Sequence, residues 1–112
     1  MTALSAATAE VFERYSKLIK EQQASGMADP LAEDRYLSLT NLLWMCDQAV
    51  AEHDSLPIDK ISRWLGCVQG CLASRGLISI EAERDFTRTL FHGAYAQDGI
   101  EIPGRRERVI EP

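Results

Sequence analysis

Two sets of residues in this chain have the types and spacing that could do chemistry. The first is the column Arg84, Arg88 and His92, at i, i+4 and i+8, flanked by Glu81 and Asp85. On a helix this spacing aligns two guanidinium groups and an imidazole on one face, which suits an anion or an acidic protein surface. Lys60 and Arg63, from an earlier segment, would join it as partner-binding residues. The plainer expectation is a solvated face with weak intrahelical ion pairs. The second set is Cys67 and Cys71, one helical turn apart, with Cys46 and His92 as further ligand types. Structural zinc sites pair cysteines at shorter loop spacings, so buried thiols are expected and neither a metal nor a cofactor is. No serine or cysteine nucleophile stands beside His92 in sequence, and Asp47, Glu52 and His53 form no catalytic spacing. The chain does not read as an enzyme.

The elements that must position these residues read as helices throughout. Val11, Phe12, Tyr15, Leu18 and Ile19 recur at helical spacing, which predicts a first amphipathic helix over about Ser5 to Gln23. Asp29-Pro30 reads as an N-cap followed by proline at the first helical position, which predicts a second helix from Pro30 to about His53. Its inner face would hold Leu31, Leu39, Leu42, Leu43, Cys46, Ala49 and Val50. Pro57 opens a third helix, and Arg75 followed by Gly76 closes it with a glycine free to turn left-handed. Ser79 caps a fourth, with Glu81 and Glu83 in its first turn and Ile80, Phe86, Leu90, Phe91, Ala94 and Tyr95 facing inward. The fold class is therefore all-α, a compact bundle of four main helices. Its helical domain spans 1–98, and residues 99–112 form an extended or flexible tail.

Size and charge narrow the function classes. A chain of 112 residues can bury one core. Its formal charge of -5 argues against a protein whose main task is to neutralise nucleic-acid phosphates. Three cysteines form no even disulfide set, and no apolar run reaches the roughly 20 residues that cross a bilayer. A cytoplasmic protein with reduced thiols is expected. The junction Ser74-Arg75-Gly76-Leu77-Ile78-Ser79 superficially matches a helix-turn-helix linker, which supplies the alternative of a DNA-associated regulator. Glu81 and Glu83 stand where a recognition helix would meet phosphates, and they oppose it.

The third helix carries an unusual small-residue pattern. Ile61, Leu65, Val68 and Leu72 form its aliphatic stripe with Trp64 at the edge, while Gly66, Gly70 and Ala73 fall on another side. Each interior glycine costs about 1 kcal/mol relative to alanine, so a close contact should offset it. Packing against the first or second helix is the preferred expectation. The alternative is a subunit or partner contact, in a homodimer with either the Gly66, Gly70 and Ala73 face or the exposed edge of Trp64 near the two-fold axis.

Lys60-x-x-Arg63-Trp64-Leu65-Gly66-x-x-Gln69-Gly70, followed by Gly76-Leu77, Glu83-Arg84-Asp85, Thr87-Arg88 and His92-Gly93-Ala94-Tyr95, resembles a group of small phage and prophage proteins. The resemblance covers about Leu56 to Tyr95, and Cys67 departs from the aromatic residue expected after Trp-Leu-Gly. It implies an accessory product of a mobile element that binds a host protein complex and inhibits or redirects it. Anti-defence factors, anti-CRISPR proteins among them, have this profile.

Overall fold

The computed structural model describes residues 2–99, so the expected tail from residue 100 onward lies outside the described residues. Four helices follow in order: α1 (Ala3–Ala24), α2 (Leu39–Ala51), α3 (Ile58–Ser74) and α4 (Ile80–Gln97). The described residues contain no strand.

Helix α1 is the axis of the fold. Val11, Phe12, Tyr15 and Ile19 are fully buried along one stripe, which is the face their helical spacing predicts. The Thr2 hydroxyl accepts from the Ser5 backbone N–H at 3.0 Å as the N-cap. Two more of the helix's free N–H groups, on Ala3 and Leu4, donate to the Asp98 carboxylate at 2.8 and 2.9 Å. Asp98 is the C-cap residue of α4, so one carboxylate fastens the end of the last helix to the start of the first.

That tie makes α4 antiparallel to α1. Contacts of Ser5 with His53 and Asp54 bring the end of α2 to the same place, so α2 is antiparallel to α1 as well. Helix α3 runs back alongside α2, and its last turn meets Asp29 and Leu37 at the other end of the bundle. The result is an up-down-up-down four-helix arrangement. Leu39, Leu42, Met45, Cys46 and Ala49 from α2 and Ile61, Val68 and Leu72 from α3 close the core over α1.

The connection between α1 and α2 corrects the sequence reading. Pro30 does not open a long helix; α2 begins at Leu39 with Ser38 as N-cap, its hydroxyl accepting from Asn41 N–H at 3.2 Å. Asp29 turns the chain instead, accepting from Leu31 N–H at 3.0 Å and from Leu39 N–H at 2.8 Å. Asp34 accepts from Tyr36 and Leu37 N–H at 2.9 and 2.8 Å. These short acidic side chains offer the backbone an alternative to helical hydrogen bonds, and over this stretch the alternative wins. Leu31, expected inside, is exposed.

The α3–α4 junction matches its sequence signal. Gly76 sits at φ +76°, Gly76 N–H donates to the Ala73 carbonyl, and Leu77 N–H reaches the Leu72 carbonyl, both at 2.9 Å. This is the glycine-terminated double bond of a Schellman motif. Helix α4 buries Ala94 and packs Leu90 and Phe91 on the core as expected, but its first half is rotated, with Glu83 and Thr87 buried and Ile80 and Phe86 exposed. The rotation follows from Arg14 and Tyr15, which reach across from α1 and hold Glu83 inward.

Candidate functional site

The buried polar groups show which charged residues are committed to the fold. Glu83 is only 4% exposed and accepts from Arg14 Nη1 and Nη2 at 2.5 and 2.9 Å and from the Tyr15 hydroxyl at 2.7 Å. Gln69 Nε2 donates to the same hydroxyl at 2.9 Å, so α1, α3 and α4 share one network. Burial alone would raise the Glu83 pKa, but the bonds from Arg14 and Tyr15 outweigh it and hold the carboxyl below its ordinary range. Burial pushes the Tyr15 hydroxyl well up. At the other end, Arg75 donates to Asp29 Oδ1 at 3.0 Å and to the carbonyls of Cys71 and Leu37 at 3.1 and 2.5 Å. Burial opposes ionisation of Asp29, yet the N–H groups of Leu39 and Leu31 and then Arg75 keep its pKa depressed.

Against this frame the expected partner-binding residues separate into two places. Lys60 Nζ lies 5.3 Å over the Trp64 ring, on the side of α3 that faces α2. Arg84 instead lines a hollow with Gln69 on the side of α3 that faces α4. Arg63 is exposed and pairs with Asp59 at 3.6 Å. Arg84 and Arg88 are exposed, and among the described residues neither is in a salt bridge, so the ion pairs expected with Glu81 and Asp85 are not formed. His92 is half-buried, with its ring 6.4 Å from that of Tyr95. The described contacts do not join Lys60 and Arg63 to the Arg84–Arg88–His92 column.

The glycine face also differs from the preferred expectation. Gly66 and Gly70 are exposed, and a Cβ at either would meet nothing within 4 Å. They are not packed against α1 or α2, so nothing inside the described chain offsets their cost. Ala73 is half-buried beside them.

A different face of the molecule carries an exposed tryptophan outside the expected site residues. Trp44, on α2, is 53% exposed, and its ring lies 5.7 Å from that of Trp64 at an interplanar angle of 50°. Its signal was there: in Leu42-Leu43-Trp44-Met45 the aromatic ring falls off the Leu42–Cys46–Ala49 stripe and must point outward. Cys67 is exposed next to this pair on α3, Cys71 is half-buried, and Cys46 is fully buried. Burial raises the Cys67 thiol pKa, and that of Cys46 is pushed up to about 12. No group of three or more His, Cys, Asp or Glu side chains among the described residues could hold a metal ion.

A second cluster, unlike Trp44, has no signal in the sequence. Ser5 Oγ lies 2.5 Å from His53 Nδ1 and donates to Asp54 Oδ1 at 2.6 Å. In a nucleophilic triad the imidazole bridges, with one nitrogen on the hydroxyl and the other on the carboxylate. Here Asp54 Oδ1 stands 3.5 Å from the same Nδ1, and the serine proton already goes to the carboxylate. The cluster ties the end of α2 to the start of α1 and does not activate Ser5. No helix among the described residues is long and apolar enough to cross a membrane. Comparison of the chain with protein-family models, with curated proteins and with solved structures gave no match.

Proposed function

We propose that the protein is a non-enzymatic binding protein that docks on a host protein complex through the Trp44–Trp64 face and inhibits or redirects it. The observation that carries this reading is the half-exposed Trp44 ring set against Trp64 on two rigid helices. Tryptophan supplies a large contact area at little conformational cost and is enriched among the residues that dominate binding energy. Lys60 over Trp64 and the exposed Arg63 give this face a polar rim. On another side of α3, the open backbone at Gly66 and Gly70 supports a separate close approach by a partner helix, whether of the host protein or of a second copy in a homodimer. The Arg-Trp-Leu-Gly-x-x-Gln-Gly pattern supports a phage-type accessory role, anti-defence in kind, exercised in the host cytoplasm.

The test is affinity capture from host-cell lysate with the unmodified protein, Trp44→Ala and Trp64→Ala, each checked for an unchanged melting transition. The expected result is a protein assembly retained by the unmodified chain and lost from both variants. Equal capture by all three removes the tryptophan face from the reading. Tight DNA binding that weakens steeply with salt and depends on Arg84 and Arg88 would favour the alternative, a DNA-associated regulator.

A further inference from the structure

The Ser5–His53–Asp54 cluster forms one wall of a cleft on a different part of the molecule from the tryptophan face. A cavity of about 390 Å³ lies between the start of α1, the end of α2 and the start of α3. A second hollow of about 170 Å³ shares Leu4, Thr8, Ile58 and Ile61 with it and continues to Leu65 and Phe91. Together they make a trough walled by Leu, Ile and aromatic side chains, with a polar pole at one end. Volumes of a few hundred Å³, apolar walls and a few convergent polar atoms characterise small-molecule sites.

The charge of the trough selects its ligand. Among the residues lining the two hollows Asp54 is the only carboxylate, and there is no lysine or arginine. The start of α1, which would ordinarily attract an anion, offers no free donor here. Ala3 and Leu4 N–H are held by Asp98, Ser5 N–H by the Thr2 hydroxyl, and Ala6 N–H by the Thr2 carbonyl. Asp54 is half-exposed, accepts the Ser5 hydroxyl hydrogen bond on Oδ1, and has no described partner on Oδ2. The Ser5 hydrogen bond also keeps its pKa below the ordinary aspartate value, so the carboxylate is ionised at neutral pH. Beside it, Ile58 is 68% exposed at the rim, an aliphatic side chain left in water where a ligand body would cover it.

We propose that this cleft binds a small organic ammonium ion, with its cationic head on Asp54 and its apolar body along Ile58, Ile61, Leu65 and Phe91. Charge and shape act together in this recognition. An alcohol of the same body loses the ion pair, and a carboxylic acid of the same body meets like charge at the pole.

The experiment is a heteronuclear NMR titration of the full chain with phenethylamine, 2-phenylethanol and 3-phenylpropionate. Phenethylamine is expected to shift resonances of Ser5, His53, Ile58, Ile61 and Phe91, and to bind about fivefold tighter than the alcohol, as a half-exposed ion pair implies. The acid is expected to bind most weakly. Asp54→Asn should bring the amine and the alcohol to equal affinity, while Ile58→Asn should weaken both and keep their ratio. A variant-free arm guards against misfolding: the preference of the unmodified protein for the amine should shrink as salt rises. The proposal is overturned if millimolar amine leaves the cleft resonances of the folded protein unmoved, if the alcohol binds as well as the amine, or if the preference ignores salt.

Discussion

The seam between α1 and α4 and the outer face of α2 and α3 treat their unusual residues in opposite ways. In the seam, polar groups that would be costly alone are fully matched: Glu83 has three donors, and Tyr15 both gives and receives a hydrogen bond. On the outer surface of α2 and α3, Trp44 stands half in solvent beside the half-buried Trp64, and on another side of α3 the backbone at Gly66 and Gly70 is left without cover by the described chain. The first region is resolved within the monomer, and its charges serve the fold. The second is stable enough to exist but not arranged for stability, which is the usual mark of a surface that acts on something else.

Breaking the interior should have the largest effect. Phe12 has no exposed surface, and Phe12→Ala is expected to cost about 3–5 kcal/mol in denaturant unfolding. Arg75→Ala should follow at about 3 kcal/mol, because it leaves the largely buried Asp29 carboxylate without its cation. Since Arg75 also holds the Leu37 carbonyl, hydrogen exchange in residues 29–38 should rise more than in α1.

The pH dependence of stability tests the buried groups of the interior without mutation. The folded pKa values of Glu83 and Asp29 lie below their ordinary values of 4.5 and 3.8, so each stabilises the fold fully above that ordinary value. That stability should be lost as pH falls further, through the depressed folded values. On the alkaline side, Cys46 resists ionisation up to about 12 whereas an unfolded thiol ionises near 9.0, so stability should also decline as pH rises from 9 toward 12. A urea midpoint that stays flat below pH 4 would show that the acidic ties contribute little.

The outer face should respond least in stability. Trp44→Ala is expected to cost about 1 kcal/mol or less, the worth of a half-exposed aromatic pair. Gly70→Ala, with no atom within 4 Å of the new methyl group, should stabilise the monomer by about 0.5–1 kcal/mol. If Gly70→Leu leaves that monomer folded but reduces self-association seen by light scattering, the glycine face is a subunit contact. An unmodified chain that is monomeric at high micromolar concentration restricts the face to a host partner.

Sequence was sufficient wherever a signal was local. The stripe of α1 follows from the spacing of Val11, Phe12, Tyr15 and Ile19, and the α3–α4 corner follows from Gly76 and Ser79, because helical periodicity and caps act over a few residues. Residues 29–38 carry an ambiguous local signal, because Asp29-Pro30 fits a helix start as well as a turn. What decides otherwise is the bonding of the Asp29 and Asp34 carboxylates to backbone N–H groups, with Arg75, 46 positions away, holding Asp29 in place. Tertiary partners likewise turned Glu83 from a first-turn acid into a buried one, and they left Trp44 in solvent beside Trp64. The candidate sites depended on such partners throughout. Lys60 and Arg84 are separated by which side of α3 each occupies, and Ser5 meets His53 and Asp54 only because α2 returns to the start of α1. By itself the sequence determined an acidic, four-helix chain with its caps and core stripes, since those rest on backbone geometry and hydrophobic spacing. Which polar groups are spent on the fold, and which faces remain open to a ligand or partner, was decided by packing between residues far apart in sequence.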